Sequence, residues 1–139
     1  MSGPSLKKRD AHSSIHEAAL NEAKELTNLF WQCLDNKNEQ KAIQVADILI
    51  EHWETRTLRH AEAEEEGLYR EMVSEHPELQ ETVIQLTRDH DLLRRIVEQL
   101  KDRLLSHTAD KSMAAMFESL IIIDEIHNED EVSKLLRDD

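Results

Sequence analysis

Histidines placed on apolar helical stripes are the residues of this chain best suited to chemistry. The chain has 139 residues and eight histidines. Four of these histidines recur among apolar side chains at spacings of three or four residues, which puts them on one face of a helix. Two are followed four residues later by a glutamate, and residues four apart are neighbours on a helix. The set comprises His16, His60, Glu64, His90, His127 and Glu131.

These polar side chains need a common partner if they point into a core. A buried imidazole or carboxylate costs on the order of several kcal/mol unless it is paired or bound to a metal. Imidazole and carboxylate without thiolate suit iron, zinc or manganese better than copper(I) or an iron–sulfur cluster. Because a carboxylate can bind two metals through its two oxygens, the set can serve two ions. The pattern therefore favours a metal site, and a metal-free polar core is the alternative.

The spacing excludes one known arrangement of two metals in a helical bundle. The di-iron site of ferritin-like proteins needs Glu-x-x-His on two helices. None of the eight histidines has a glutamate three residues before it. The glutamates instead follow His60 and His127 by four residues, so a different arrangement of ligands is expected.

Four helical segments position these residues. Polar turns that contain Asn, Pro or Asp separate the segments, and they lie at 35–38, 74–77 and 106–110. The predicted helices span roughly 10–34, 39–73, 77–105 and 112–137. Short connections between long helices force antiparallel neighbours, which predicts an all-α, up-down-up-down antiparallel four-helix bundle. We expect residues 1–9 to form a disordered tail and residues 10–139 to form one domain.

The four histidines lie at a similar height in such a bundle. His60 and His90 are each about 15 residues from the second turn, and His90 and His127 are each about 18 residues from the third. At ~1.5 Å of rise per residue, all four histidines come within about one helical turn of the same level. His12 lies one turn before His16 and passes the same test, so both stay candidates on spacing alone.

The candidate ligands sit in four local motifs. His16 stands alone on the first helix, and the others read His60-Ala-Glu-Ala-Glu64, Asp89-His90-Asp91 and His127-Asn-Glu-Asp-Glu131. In this order and at these spacings, the motifs resemble the hemerythrin-like HHE cation-binding domains over nearly the whole chain. The resemblance implies two non-haem iron ions bridged by Glu64, Glu131 and a solvent oxygen. Family spacing favours His16 as the helix-1 ligand, and His12 is then expected to be a solvated first-turn residue.

Two departures from the oxygen-carrying hemerythrins narrow the implied function. Those carriers have His-x-x-x-His on the third helix, where this chain has Arg94 at the second position. Their fourth helix carries Asp five residues after the histidine, where this chain has Val132, and Glu131 stands at the fourth position. The pattern is closer to family members with four histidines and two glutamates. The resemblance therefore implies a protein that binds or reduces O2, NO or peroxide in sensing, detoxification or iron handling.

Other polar and aromatic residues receive structural interpretations. His52 is expected to be partly exposed. Tyr69 is expected as a core or rim residue, and an approach to the metal pocket is the alternative. Glu62, Glu65 and Glu66 are expected on a solvated face, although Glu65 could hydrogen-bond a ligand histidine from outside the site. The remaining aromatic and thiol candidates for the core are Phe30, Trp53 and Cys33.

Composition limits the class of protein. The net charge of −13 argues against nucleic-acid binding, which needs a basic surface, and against binding to anionic membranes. No apolar run approaches the ~20 residues that a membrane span needs. A single cysteine excludes an internal disulfide and fits a reducing compartment. We therefore expect a cytoplasmic protein. The ligand implied by the resemblance is a small diatomic molecule or peroxide.

A second class of function is a non-catalytic helical interaction or phosphotransfer bundle. A phosphotransfer histidine must be exposed and flanked by basic residues. His90 has Arg94 and Arg95 nearby, but it lies on the apolar stripe of its helix. The burial of His90 therefore discriminates between the two classes.

Overall fold

Four helical rods make up the bundle. The computed structural model of the chain describes residues 3–136, with side chains from residue 11 onward. The first rod is α1 (Gly3–Asp35), and the third rod is α5 (Gln80–Leu104), which a short 3-10 turn (Pro77–Leu79) precedes. The second rod is a succession of α2 (Glu39–His52), a π-helical turn (Trp53–Leu58), α3 (Arg59–Glu66) and α4 (Leu68–Glu75). The fourth rod is α6 (Lys111–Asp130), which continues in a second π-helical turn (Glu131–Leu135).

The rods pack in a ring. Helix α1 packs against α2 and α6, and α5 packs against the same two neighbours. Because the connections are short, consecutive rods run antiparallel, which confirms the predicted four-helix bundle. Two predicted polar turns supply helix caps: the side chains of Asn38 and Asp110 accept hydrogen bonds from the backbone N–H groups of Lys41 and Met113.

The beginning of α1 differs from the prediction. The helix begins at Gly3, whereas the sequence analysis assigned residues 1–9 to a disordered tail. Pro4 is compatible with a first helical turn, and no further proline or glycine interrupts the segment up to residue 35. Residues 1–2 lie outside the described residues, and the domain boundary at residue 10 stays a prediction.

The second rod is not a regular α-helix. Its π-helical turn shifts the buried face by about one residue. Ala61 is therefore only 1% exposed, while the side chain of His60 keeps 27% of its surface accessible. Gly67 then separates α3 from α4, with φ −112° and ψ −86°.

A polar layer divides the core in two. On α5, His90 lies between Leu86 of a small apolar cluster and Leu93 of the main core. The same order holds on the fourth rod, where Leu120 and Leu135 belong to the two different clusters. The main core contains Phe30, Cys33 and Trp53, as predicted. None of the described helices combines the length and apolarity needed to cross a membrane.

Candidate metal centre

Five imidazoles and two carboxylates meet in the polar layer. All of them turn a side-chain nitrogen or oxygen atom toward the bundle axis at one level, as the height argument predicted for the histidines. For every imidazole the inward atom is Nε2. The residues are His12, His16, His60, Glu64, His90, His127 and Glu131.

The first group of ligands, here called the α1 half-site, consists of His12, His16 and His60. Together with Glu64, these side chains offer ligand atoms that all lie within 4.8 Å of one another. The Nε2 atoms of His16 and His60 each lie 3.6 Å from Glu64 Oε2. His12 Nε2 contacts Glu64 Oε2 and Glu131 Oε1. Three imidazoles and a carboxylate thus surround one small volume.

The second group, here called the α5 half-site, consists of His90 and His127. Their Nε2 atoms are 3.1 Å apart. His90 Nε2 lies 3.4 Å from Glu64 Oε1, and His127 Nε2 lies 3.4 Å from Glu131 Oε2. The ligand atoms of Glu64, His90 and His127 again lie within 4.8 Å of one another.

Glu64 and Glu131 belong to both half-sites. Glu64 faces the α1 half-site through Oε2 and His90 through Oε1. Glu131 faces His12 and His16 through Oε1 and His127 through Oε2. Each carboxylate therefore spans the two groups of histidines with one oxygen on each side, which is the arrangement of a bridging ligand.

Without a metal, the charges of the cluster compensate one another. Burial alone would raise the pKa values of Glu64 and Glu131, but contacts with His12 and other imidazoles hold both pKa values below the usual range. Burial would lower the pKa of His12, yet its contacts with the two glutamates raise that pKa to about 9. Burial would also lower the pKa of His127, but contacts with Asp89 and Glu131 outweigh burial and raise that pKa to about 10. Protonated imidazoles thus supply the positive charge that a bound metal ion would supply beside the two glutamates.

Several ligand atoms have no hydrogen bond to satisfy them. His16 Nε2, His60 Nε2 and both oxygens of Glu64 are buried without a hydrogen-bond partner among the described residues. Buried polar atoms of this kind are rare because an unmade hydrogen bond costs stability. Imidazole nitrogens and carboxylate oxygens are the donors that iron, zinc and manganese take. The residues therefore fit a metal centre.

Hydrogen bonds from outside the cluster fix the orientation of three imidazoles. The Nδ1–H group of His90 donates to Glu65 Oε2 at 2.7 Å, which is the alternative that the sequence left open beside a solvated position for Glu65. The Nδ1–H group of His127 donates to Asp89 Oδ2 at 3.0 Å. His16 Nδ1 contacts Asn128 Oδ1. With Nδ1 protonated, the lone pair of each Nε2 points inward, where it can bind a metal.

His12 corrects the sequence analysis. It is not a solvated first-turn residue, because α1 extends to Gly3 and His12 lies well inside the helix. His12 is 9% exposed and contacts both glutamates. His16 lies on the same face one turn later, with ring centroids 4.3 Å from His12. Spacing and height had allowed both residues. The expectation that His12 is solvated was wrong, and the choice of His16 as the helix-1 ligand stays a prediction.

Tyr69 is buried in the core, as expected, and it also reaches the pocket, whereas His52 differs from its expectation. The Tyr69 hydroxyl donates to Glu131 Oε2, and its ring stacks on His90 with centroids 5.7 Å apart. Tyr69 therefore belongs to the pocket itself, which periodicity could not reveal across the break at Gly67. His52 was expected to be partly exposed, but it is buried and contacts the carbonyl oxygen of Ala19 at 2.8 Å.

Asp124 is a buried carboxylate that sequence reasoning missed. It lies one turn before His127 and is 2% exposed. Burial raises its pKa to about 6, although the charges of His16 and His127 act in the opposite direction. Its position in the apolar run Leu120–Ile126 was the available signal, because a carboxylate among isoleucines is unusual.

One side of the centre communicates with a cavity. A cavity of about 600 Å³ lies between α1 and the end of the fourth rod, and its lining includes His12, His16 and Glu131. Leu20 and Val132 contribute apolar surface to the same cavity. A small molecule or ion can therefore approach the α1 half-site from this side.

Comparison with known proteins agrees with this geometry. The family described as the hemerythrin HHE cation-binding domain matches residues 9–137, which is nearly the whole chain. Neither the curated proteins nor the solved structures contain a significant match to the chain. The match includes every residue of the two half-sites, and the bundle and the His/Glu clusters are of the kind that a cation-binding domain needs. The chain therefore belongs to the hemerythrin HHE cation-binding domain family.

Proposed function

We propose that this chain is a non-haem di-iron protein that binds or reduces a small oxidant such as O2, NO or peroxide. The observation that carries the proposal is the sharing of Glu64 and Glu131 between two groups of histidines. A single ion would not need carboxylates whose two oxygens face different imidazoles. The centre therefore suits a pair of ions side by side.

Each of the two ions would be held by its own group of histidines. His12, His16 and His60 hold one position and His90 and His127 the other, each through Nε2, and the two glutamates join them. This adds His12 to the six residues that the sequence analysis selected. When bound, iron would supply electrons to the oxidant and polarise it.

The hydroxyl of Tyr69 is a hydrogen-bond donor in the pocket that is not itself a candidate ligand. It lies 3.5 Å from His127 Nε2 and donates to Glu131 Oε2. Burial and the charges of Glu131 and Glu64 raise the pKa of Tyr69 far above its usual value. The phenol thus keeps its proton at neutral pH and holds Glu131 in place.

The cavity beside the α1 half-site disfavours anionic ligands. Leu20 and Val132 line it together with the carboxylates of Glu17, Glu125 and Glu129. Negative charge repels anions, while O2, NO and hydrogen peroxide carry none. This selection supports a small neutral oxidant as the ligand.

A phosphotransfer function has no support in this geometry. His90 is 2% exposed, and its Nδ1–H group is held by Glu65. A phosphoryl donor protein could not reach either ring nitrogen.

The test of the proposal is the iron content of single variants purified without a metal-affinity tag. His60→Ala and His127→Ala each remove an Nε2 ligand from a different half-site, so both should lower the iron content per chain. His107→Ala is the matched control, because His107 is exposed in the turn between α5 and α6. Unchanged iron in both ligand variants would contradict the proposal.

A further inference from the structure

We infer that the two halves of the centre hold their ions unequally, so that the α5 half-site retains its ion while the α1 half-site exchanges its ion with solvent. The inference rests on the proposed function, because it presupposes two bound ions. It assigns metal uptake and release to one named side of the bundle.

Burial separates the two half-sites. The side chains of His90 and His127 are 2% and 1% exposed. In the α1 half-site, the side chain of His60 is 27% exposed and that of His16 is 10% exposed. A departing ion must be replaced by water at each ligand atom, and water reaches the α1 half-site more easily.

The cavity opens on the same side. It reaches His12 and His16 directly, and the carboxylates of Glu17, Glu125 and Glu129 contribute to its lining. Carboxylates around an opening concentrate cations and speed their approach. His16 lines this cavity, and its Nε2 atom is buried without a hydrogen-bond partner. A cation can therefore reach the α1 half-site through this cavity, and the negative charge of the lining attracts it.

The hydrogen bonds outside the ligands differ in charge between the two half-sites. Both imidazoles of the α5 half-site donate to carboxylates, His90 to Glu65 and His127 to Asp89. His16 in the α1 half-site contacts the neutral amide of Asn128 instead. A carboxylate makes the imidazole a stronger ligand, and such outer contacts change metal affinity by roughly 10–100-fold.

Two features act against this ordering. Arg94 pairs with Glu65 at 2.8 Å and offsets part of its negative charge. The α1 half-site also has three imidazoles, whereas the α5 half-site has two. A count of ligands alone would predict that the α1 half-site holds its ion more firmly, so the two accounts make opposite predictions.

The experiment follows iron release from the full chain loaded with two equivalents of ferrous iron under anaerobic conditions. A chromogenic ferrous chelator in excess reports the release with time. We expect two phases of one ion each, with rates that differ by about tenfold or more. Asp89→Asn should speed the slow phase only, and Asn128→Asp should slow the fast phase only.

Controls keep the result interpretable. Glu66→Gln changes an exposed carboxylate next to Glu65 and should leave both phases unchanged. Helix content measured by circular dichroism checks that each variant folds. Should Asp89→Asn fail to fold, Glu65→Gln removes the other outer carboxylate and should speed the slow phase in the same way.

The outcomes separate the inference from the proposed function. Release of both ions in one phase, or a slow phase that responds to Asn128→Asp, would overturn the inference while leaving the di-iron centre intact. A folded chain that binds fewer than two ions would overturn both.

Discussion

His12 and His16 show how two equivalent positions on one helix can both reach a shared site. They lie one turn apart on α1, and each faces Glu64 and Glu131 through Nε2. The family pattern had favoured only one of them. Two neighbouring imidazoles on α1 give the α1 half-site three histidines, although the third helix has Arg94 at the position where oxygen carriers have their second histidine.

This geometry predicts that both residues matter for metal binding. His12→Ala and His16→Ala should each reduce the metal content by up to one ion per chain, because each removes an Nε2 ligand from the α1 half-site. Ser14→Ala, an exposed position between them, is the control. Elemental analysis of the three purified variants gives the answer, and two ions retained in His12→Ala would remove His12 from the ligand set.

The raised pKa values of His12 and His127 predict proton release on metal binding. With pKa values of about 9 and about 10, both imidazoles carry protons at pH 7. A metal must displace these protons, so uptake at pH 7 should release at least about two protons per chain, and affinity should rise with pH up to that range. Burial would lower the pKa of His16, but contacts with Glu64 raise that pKa, which adds to the release. Calorimetry in buffers of different ionisation enthalpy measures the release, and no release at pH 7 would contradict this assignment.

The same shifts set the pH range in which the metal-free fold is stable. A histidine whose pKa is raised stabilises the fold fully at pH values below its ordinary pKa of 6.5. This contribution is lost as pH rises from there through about 9 to 10. Glu64 and Glu131, whose pKa values are lowered, stabilise the fold above about 4.5, and their contribution is lost as pH falls. We therefore expect denaturant titrations of the metal-free protein to give the highest stability between about pH 5 and 6.5 and a decline at higher pH.

At the scale of elements, the sequence was sufficient for the four rods but not for their irregularities. Asn, Pro and Asp marked the three turns, and apolar spacing marked the helices. The π-helical turns at Trp53–Leu58 and Glu131–Leu135 were not predicted, because a pattern read at 3.6 residues per turn averages over one inserted residue. Ala61 thus took the fully buried position that spacing gave to His60.

The candidate site was predictable to a similar degree. Distances from the turns placed four histidines at one level, because rise per residue in a helix is constant. The outer partners Asp89 and Asn128 were not assigned, since each contacts an imidazole on a different rod and pairing between rods leaves no spacing in the sequence. For Glu65, which contacts His90 on another rod, such a contact was only the alternative to a solvated position.

The cap of α6 gives a test of an element apart from the metal. The Asp110 carboxylate accepts the backbone N–H of Met113 at 3.0 Å. Asp110→Ala should lower the free energy of unfolding by about 1 kcal/mol, as loss of an N-cap does. Asp110→Asn, which still caps, should lose much less.

Metal content should stay unchanged in both cap variants, because the cap lies at the opposite end of α6 from His127. Denaturant unfolding and elemental analysis of the same samples check the two parts. Loss of metal in Asp110→Ala would show that the helix positions its ligands less rigidly than the geometry indicates.

For the whole molecule, the bound ions should act as a clamp between the two apolar clusters. They would replace a layer of compensating charges with bonds to three of the four rods in each half-site. Ligands that bind only the folded state stabilise it by mass action, by about 4 kcal/mol at a thousandfold excess over the dissociation constant. For a domain of this size that corresponds to a rise in Tm of roughly 10 °C.

Melting curves with and without a chelator at pH 7 measure this effect. The chelated protein should melt at the lower temperature. Equal melting temperatures, once metal loss has been confirmed, would mean that the polar layer is as stable without ions as with them.

The central claim is that two ions share Glu64 and Glu131. Electron paramagnetic resonance of the oxidised protein, on samples whose iron has been counted, tests it most directly. Bridged ferric ions couple their spins, so the account predicts two irons per chain with no signal from isolated high-spin ferric iron. A full-intensity isolated ferric signal, or one iron per chain, would contradict it.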